Sequence, residues 1–150
     1  MEEKLLAYFT RFQPLTEEEQ QAILKGVSIR EVPKGTFLLR EGEIASENYF
    51  VLKGCVRQYF MAEGEEKTSH FFTEEEWIMP VLFDRDQGTS HTYLICMEDC
   101  ILLFGNDQEG NNLIGQYPNI QKVSQQILEQ EITRQQAELA KYVRQSPEQR

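Results

Sequence analysis

Histidine is scarce in this chain: His70 and His91 are the only two in 150 residues, and they lie far apart. A metal-dependent enzyme would want three or four His or Glu ligands, usually with two histidines close together. No Ser/His/Asp arrangement, phosphate-cradling P-loop or dinucleotide fingerprint is present either. The expectation is therefore no catalytic residue, no metal, no cofactor and no enzyme. Cysteine is also sparse. Cys55, Cys96 and Cys100 are an odd number in apolar surroundings, which favours buried free thiols over disulfides. Cys96 and Cys100 could face each other across a hairpin turn as a redox pair, and that is the weaker reading. No apolar run approaches the ~20 residues of a membrane span, and Met1-Glu2-Glu3-Lys4 lacks the basic start of a signal peptide. A cytoplasmic protein without membrane contact follows as an expectation. Positive charge is short as well, with 15 Lys and Arg against 25 Asp and Glu. The deficit is concentrated through Asn111, with 10 against 21, whereas the remainder holds 5 against 4. An acidic body repels phosphates, so these residues are not expected to bind DNA by counterion release.

What the chain has instead is a series of short apolar runs broken by glycine. Residues 32–60 read V-P-K-G-T-F-L-L-R-E-G-E-I-A-S-E-N-Y-F-V-L-K-G-C-V-R-Q-Y-F. The runs at 37–39, 49–52 and 55–60 carry aromatic and β-branched residues suited to a pleated surface. Gly35, Gly42 and Gly54 stand between them as corners, since glycine supplies the positive φ that tight turns demand. Any small antiparallel β-roll fits this pattern.

Along the chain, Leu5, Tyr8, Phe9 and Phe12 recur at helical spacing before Pro14. Thr16-x-x-Glu19 is a capping box with Leu15 as staple, and Gly26 ends that second helix. Strand signals continue from 27 to 104, with a hairpin turn at 62–65, a polar loop at 84–88 and a turn at Glu98-Asp99. Asn106 suits a helix N-cap, and that short helix ends near Gly115. Pro118 opens a much longer helix to about Gln145. Its Ile120, Val123 and Ile127 would face the body. Leu128, Ile132, Leu139 and Tyr142 follow a coiled-coil rhythm with Gln135 in the gap. A helix of roughly 28 residues spans about 42 Å, more than one small roll covers. The simplest partner for the seam is a second copy of the chain, although the residues could also pack on their own domain. Ser146-Pro147-Glu148 reads as another helix start, with N-cap, first-position proline and first-turn acid.

Lys34-Gly35, Glu41-Gly42 and Tyr49-Phe50-Val51-Leu52-Lys53-Gly54 with Arg57 following resemble the opening of a cyclic-nucleotide-binding-type domain. That family includes the Crp/Fnr bacterial transcription regulators, and the similarity runs from about Leu5 to the last residue. The resemblance implies a mainly β fold with flanking helices: a double-stranded β-helix, or jelly-roll-like β-roll, plus a long C-terminal dimerisation helix. It implies helices and roll at 1–116, the dimer helix at 117–145, and at 146–150 the start of an absent DNA-binding domain. DNA would be a partner only through that domain. The oxygen-sensing branch of the family holds an iron–sulfur cluster on N-terminal cysteines, which this chain lacks.

In that family a short helical cassette cradles the cyclic phosphate, a Gly-Glu pair meets the ribose, and an Arg followed by a small residue pairs with the phosphate. Laid on this sequence, the cassette runs through Trp77, Met79, Pro80, Val81 and Leu82 to Thr89, Ser90, His91 and Thr92. These residues, with Gln135 from the long helix, are the ligand-pocket candidates. Met79-Pro80 stands where Gly-Glu should be, and Ser90-His91 where Arg and its small neighbour should be. Two lost charge-assisted hydrogen bonds amount to ~3–6 kcal/mol, or about 10²–10⁴ in affinity. The resemblance thus implies an effector-sensing and dimerising regulatory module with a degenerate nucleotide pocket and an unknown small-molecule effector. The competing classes are a stand-alone ligand or scaffold β-roll and, further off, a cupin-type enzyme.

Overall fold

The computed structural model describes residues 1–80, 89–105 and 107–144, except for the side chains at 107–111, 139 and 141–144. Val81, Leu82, the loop at 84–88, the N-cap expected at Asn106 and the helix start expected at 146–148 lie outside the described residues, as do the side chains of Leu139 and Tyr142. Two helices, α1 (Glu2–Thr10) and α2 (Glu17–Gly26), lead into eight strands. These are β1 (Ser28–Val32), β2 (Phe37–Leu39), β3 (Asn48–Lys53), β4 (Val56–Ala62), β5 (Glu65–Phe72), β6 (Trp77–Ile78), β7 (Tyr93–Cys96) and β8 (Cys100–Gly105). Helices α3 (Asp107–Gln116) and α4 (Pro118–Arg144) close the described chain.

The strands form two antiparallel four-stranded sheets, ordered β1-β8-β3-β6 and β2-β7-β4-β5. Their facing sides supply one core: Val51 and Tyr49 of β3, Leu102 and Cys100 of β8, Val56 of β4, and Leu94 and Cys96 of β7. The opposite face of the first sheet supplies a second core. There Phe50, Leu52 and Leu103 pack with Leu5 and Tyr8 of α1 and with Val123 and Ile127 of α4. This explains why β3 is apolar at consecutive positions instead of alternating: a strand covered on both faces has no solvent side to mark with polar residues. Phe50, Val51 and Leu52 are all fully buried. By contrast β5 has an open outer edge and is exposed from Glu65 through Ser69.

Local chemistry sets the corners. Gly35, Gly42, Gly54 and Gly64 all have positive φ. Gly54 is the most demanding, with φ 111° and Cys100 Sγ only 2.6 Å from where a Cβ would stand. No other residue fits between β3 and β4 without moving the β8 backbone. At α2, the Thr16 hydroxyl accepts from the Glu19 amide at 3.2 Å, and the Glu19 carboxylate accepts from the Thr16 amide at 2.8 Å. This is the reciprocal cap expected from the sequence. The same carboxylate accepts from the Asn119 amide side chain at 3.3 Å, tying α2 to the first turn of α4. The three cysteines are free thiols, Cys96 and Cys100 buried and Cys55 half-buried.

Candidate functional site

The long helix sits over the roll in two ways. Its first half is apolar where it meets the sheet, with Ile120, Val123 and Ile127 buried. One turn later the inward position is Glu131, only 5% exposed, and Arg134 follows on the same face. Below them lies a cavity of about 260 Å³ between α4 and the roll. Phe72 and Ile78 belong to the roll core, while Gln58, Phe60, Ser69 and Thr92 come from strands β4 and β5 and the approach to β7. Trp77, Met79 and Pro80 complete one wall, and Glu131, Arg134 and Gln135 form the helical roof.

The polar wall is internally bonded. The Gln58 side-chain amide donates to Thr92 Oγ1 at 3.5 Å, and the Ser69 hydroxyl donates to Gln58 Oε1 at 3.1 Å. The roof is an ion cluster. Arg134 donates to Glu131 Oε2 through Nε at 3.2 Å and Nη2 at 2.8 Å, and to Glu138 Oε1 through Nη1 at 2.9 Å. Beside it, His70 of β5 places Nε2 at 3.4 Å from Glu76 and Nδ1 at 3.8 Å from Glu138. Burial pulls the Arg134 pKa down, but the Glu131, Glu138 and Glu76 carboxylates outweigh it and hold the guanidinium above its ordinary value. For Glu76, burial pushes upward, and hydrogen bonds from the Thr73 amide and hydroxyl and from His70 prevail, leaving its pKa below the usual carboxylate range.

Of the residues expected from the sequence, Trp77, Met79, Pro80, Thr92 and Gln135 line this cavity. Trp77 also belongs to the helical layer: its ring lies 4.7 Å from that of Phe50, and its Nε1 donates to the Tyr8 hydroxyl at 3.0 Å. Thr89, Ser90 and His91 are not among the lining residues. Thr89 bridges Ile44, and Ser90 exchanges backbone hydrogen bonds with Gly42 and Glu43. The Ser90 hydroxyl donates to the Thr92 carbonyl at 2.9 Å and accepts from the Thr92 amide at 3.0 Å, which turns it back on its own strand. His91 is exposed. A second, more open recess of about 420 Å³ also touches Pro80, is lined by Leu38, Ile44 and Tyr49, and among the described residues carries the loop acids Glu43 and Glu47 as charged groups.

Glu131 and Arg134 are the functional candidates that sequence reasoning missed. The available signal was a period: positions 120, 123 and 127 continue to 131 and 134 on one helical face. A charge that extends an apolar stripe inward marks a polar interior. On the other flank of α4, Leu128 and Ile132 are 37% and 39% exposed, large apolar side chains left partly open to solvent. No helix of the described chain is long and apolar enough to cross a membrane, and no group of three or more His, Cys, Asp or Glu is placed to hold a metal.

Two antiparallel four-stranded sheets with a long helix roofing a cavity make a β-roll of the double-sheet kind. The model of the cyclic nucleotide-binding domain matches residues 29–117, more than half of the sequence, and the chain belongs to that family. The same fold recurs in the Thermus thermophilus catabolite activator protein, with TM-score 0.66 and 22% identity over 88% of this chain. The chain spans 62% of that protein. The sensor domain of the transcriptional regulator DNR from Pseudomonas aeruginosa is similar over 93% of this chain and 95% of its own, with TM-score 0.64 and 20% identity. The regulatory domain of Toxoplasma gondii PKA, solved with cAMP, matches at TM-score 0.61 and 16% identity over 75% of this chain and 44% of its own. No curated protein matches the sequence.

Proposed function

We propose that the chain is the effector-sensing and dimerising part of a Crp/Fnr-type bacterial transcription regulator, with residues 1–116 forming the sensor, 117–145 the dimer helix and 146–150 leading to a DNA-binding domain. The observation that carries this reading is the double role of α4: one face roofs a cavity through Glu131, Arg134 and Gln135, and the neighbouring flank leaves Leu128 and Ile132 exposed. A molecule entering the cavity would change the seating of that helix and, through the seam, the spacing of two DNA-reading heads. DNA contact is assigned to residues beyond this acidic body, since a net charge of −10 opposes phosphate binding. The similarity of fold to DNR and to the catabolite activator protein supports the regulator over a bare scaffold.

Cyclic AMP and cyclic GMP are not the effectors in this reading. Pro80 offers neither amide nor carboxylate to a ribose, and the Ser90 hydroxyl is engaged with Thr92. The test joins two measurements. Calorimetry giving a dissociation constant at or below about 10 μM for either cyclic nucleotide would overturn the degenerate pocket. A solution mass unchanged by Ile132→Glu with Leu139→Glu would overturn the dimer seam.

A further inference from the structure

The ion cluster over the cavity has a sign. Among the described residues, Glu131 and Glu138 flank the Arg134 guanidinium and Glu76 and Glu138 flank His70, so the cluster they form is negative whether or not the His70 ring carries a proton. Arg134 is already engaged by two carboxylates, which leaves it little capacity to neutralise a further anion. An entering phosphate or carboxylate would meet the nearly inaccessible Glu131 side chain in a partly desolvated space, where like charges repel far more strongly than in water. A cation meets the opposite situation. It finds the Glu131 carboxylate on the roof, with Glu138 on the far side of Arg134, and the aromatic residues Phe60, Phe72 and Trp77 on the walls, groups that attract positive charge as well as apolar bulk. The upward pull on the Arg134 pKa reports the same negative field from the protein's own resident cation.

We propose that the effector is a small organic cation, a protonated amine, amidine or guanidine on an aromatic or apolar body, seated between Trp77, Phe60 and Phe72 with its charge toward Glu131 and Glu138. This rests on the reading of the cavity as the effector site and adds the chemical class it takes. Gln58, Ser69 and Thr92 supply neutral donors and acceptors that would set orientation without altering the charge preference. Glu131 is then the specificity-determining residue, and Arg134 a positioning residue that holds its carboxylate.

Three probes of one shape separate the outcomes: benzamidinium, benzamide and benzoate. Trp77, the only tryptophan in the chain, lines the cavity and supplies the readout by fluorescence titration of the complete chain. Benzamidinium is expected to bind at least about tenfold more tightly than benzoate, a gap of roughly 1.4 kcal/mol, with benzamide between them. Glu131→Gln should shrink that gap several-fold. If this variant fails to fold, Glu138→Gln, whose carboxylate is half exposed, makes the same comparison. Benzamide or benzoate binding as tightly as benzamidinium, or a preference untouched by removal of the carboxylate, overturns the cationic class and leaves the cavity reading standing. No response of Trp77 to any of the three overturns the cavity reading itself.

Discussion

The two halves of the long helix do opposite work on the same face. From Ile120 to Ile127 the helix is fastened, with Ile120 buried and Val123 and Ile127 packed against Phe50, Leu52 and Leu103 of the sheet. From Glu131 to Glu138 its charges are bonded to one another along the helix, over a space that the roll does not fill, and Glu138 meets the roll at His70 Nδ1, 3.8 Å away. Close-packed apolar contacts fix one geometry, because any displacement opens voids. Ion pairs at partial exposure tolerate rearrangement, since water and alternative partners stand in for lost bonds. A helix built this way is anchored at one end and adjustable at the other.

The sharpest way to break that contrast is to loosen the anchor. Ile127→Ala should remove about 2–5 kcal/mol of stability, the usual range for truncating a buried aliphatic side chain, read by urea denaturation. A loss below about 1 kcal/mol would mean that the first half is no better fastened than the second. The next effect is smaller. Arg134→Met leaves the buried Glu131 carboxylate without its partner. Because the guanidinium is about a quarter exposed, the loss should be nearer 1–3 kcal/mol than the full penalty of an orphaned interior charge. Adding Glu131→Gln should recover most of it. A double variant no more stable than Arg134→Met alone would count against the pair as a unit.

The smallest effect tests the tie between α2 and the start of α4. The Thr16 amide, outweighing an opposing push from burial and aided by Asn119 and the Thr16 hydroxyl, holds the Glu19 pKa below the ordinary glutamate value. A carboxyl depressed in the folded state adds stability above its unfolded pKa and loses that stability as pH falls through the folded one. Glu19→Gln should therefore lower stability at neutral pH by about 1 kcal/mol or less, and the difference from the native chain should shrink as the solution is acidified below the glutamate range. A difference that grows on acidification would refute the cap as the source.

Much of this arrangement was legible in the residues themselves. The capping box at Thr16 and Glu19, the corners at Gly35, Gly42 and Gly54 and the inward stripe at Ile120, Val123 and Ile127 are local signals, each decided within two turns of chain or fewer. The cavity was legible only in part. Trp77, Met79, Pro80 and Thr92, from the cassette that the family resemblance implies, line it together with Gln135 of the long helix. The same cassette brought in Thr89, Ser90 and His91, which are absent from that lining because residues 89 and 90 pair with the turn at 42–44. Gln58, Phe60 and Ser69 had no comparable signal. Strand β4 reads as a half-exposed hairpin, and only the approach of α4 makes its polar side chains part of an interior. Sequence separation is the physical reason: the helix that creates the site is contributed by residues remote from the strands that line it.

The close approach of Gly54 to Cys100 has a consequence for chemistry in solution. With no Cβ at Gly54, Cys100 Sγ is wedged against the β3–β4 corner, and its thiol donates to the Glu98 carbonyl at 3.2 Å. Neighbouring Cys96 is pushed away from ionisation, first by burial and then by Cys100. Thiolate, the form that alkylating reagents attack, is thus withheld from Cys96, and both sulfurs are buried while the corner is closed. Cys55 is also raised above the ordinary thiol pKa, first by burial, and differs from the other two in being only half-buried. Labelled over time, the two interior thiols act as a clock for opening of the roll, and the Cys55 signal marks zero on its dial.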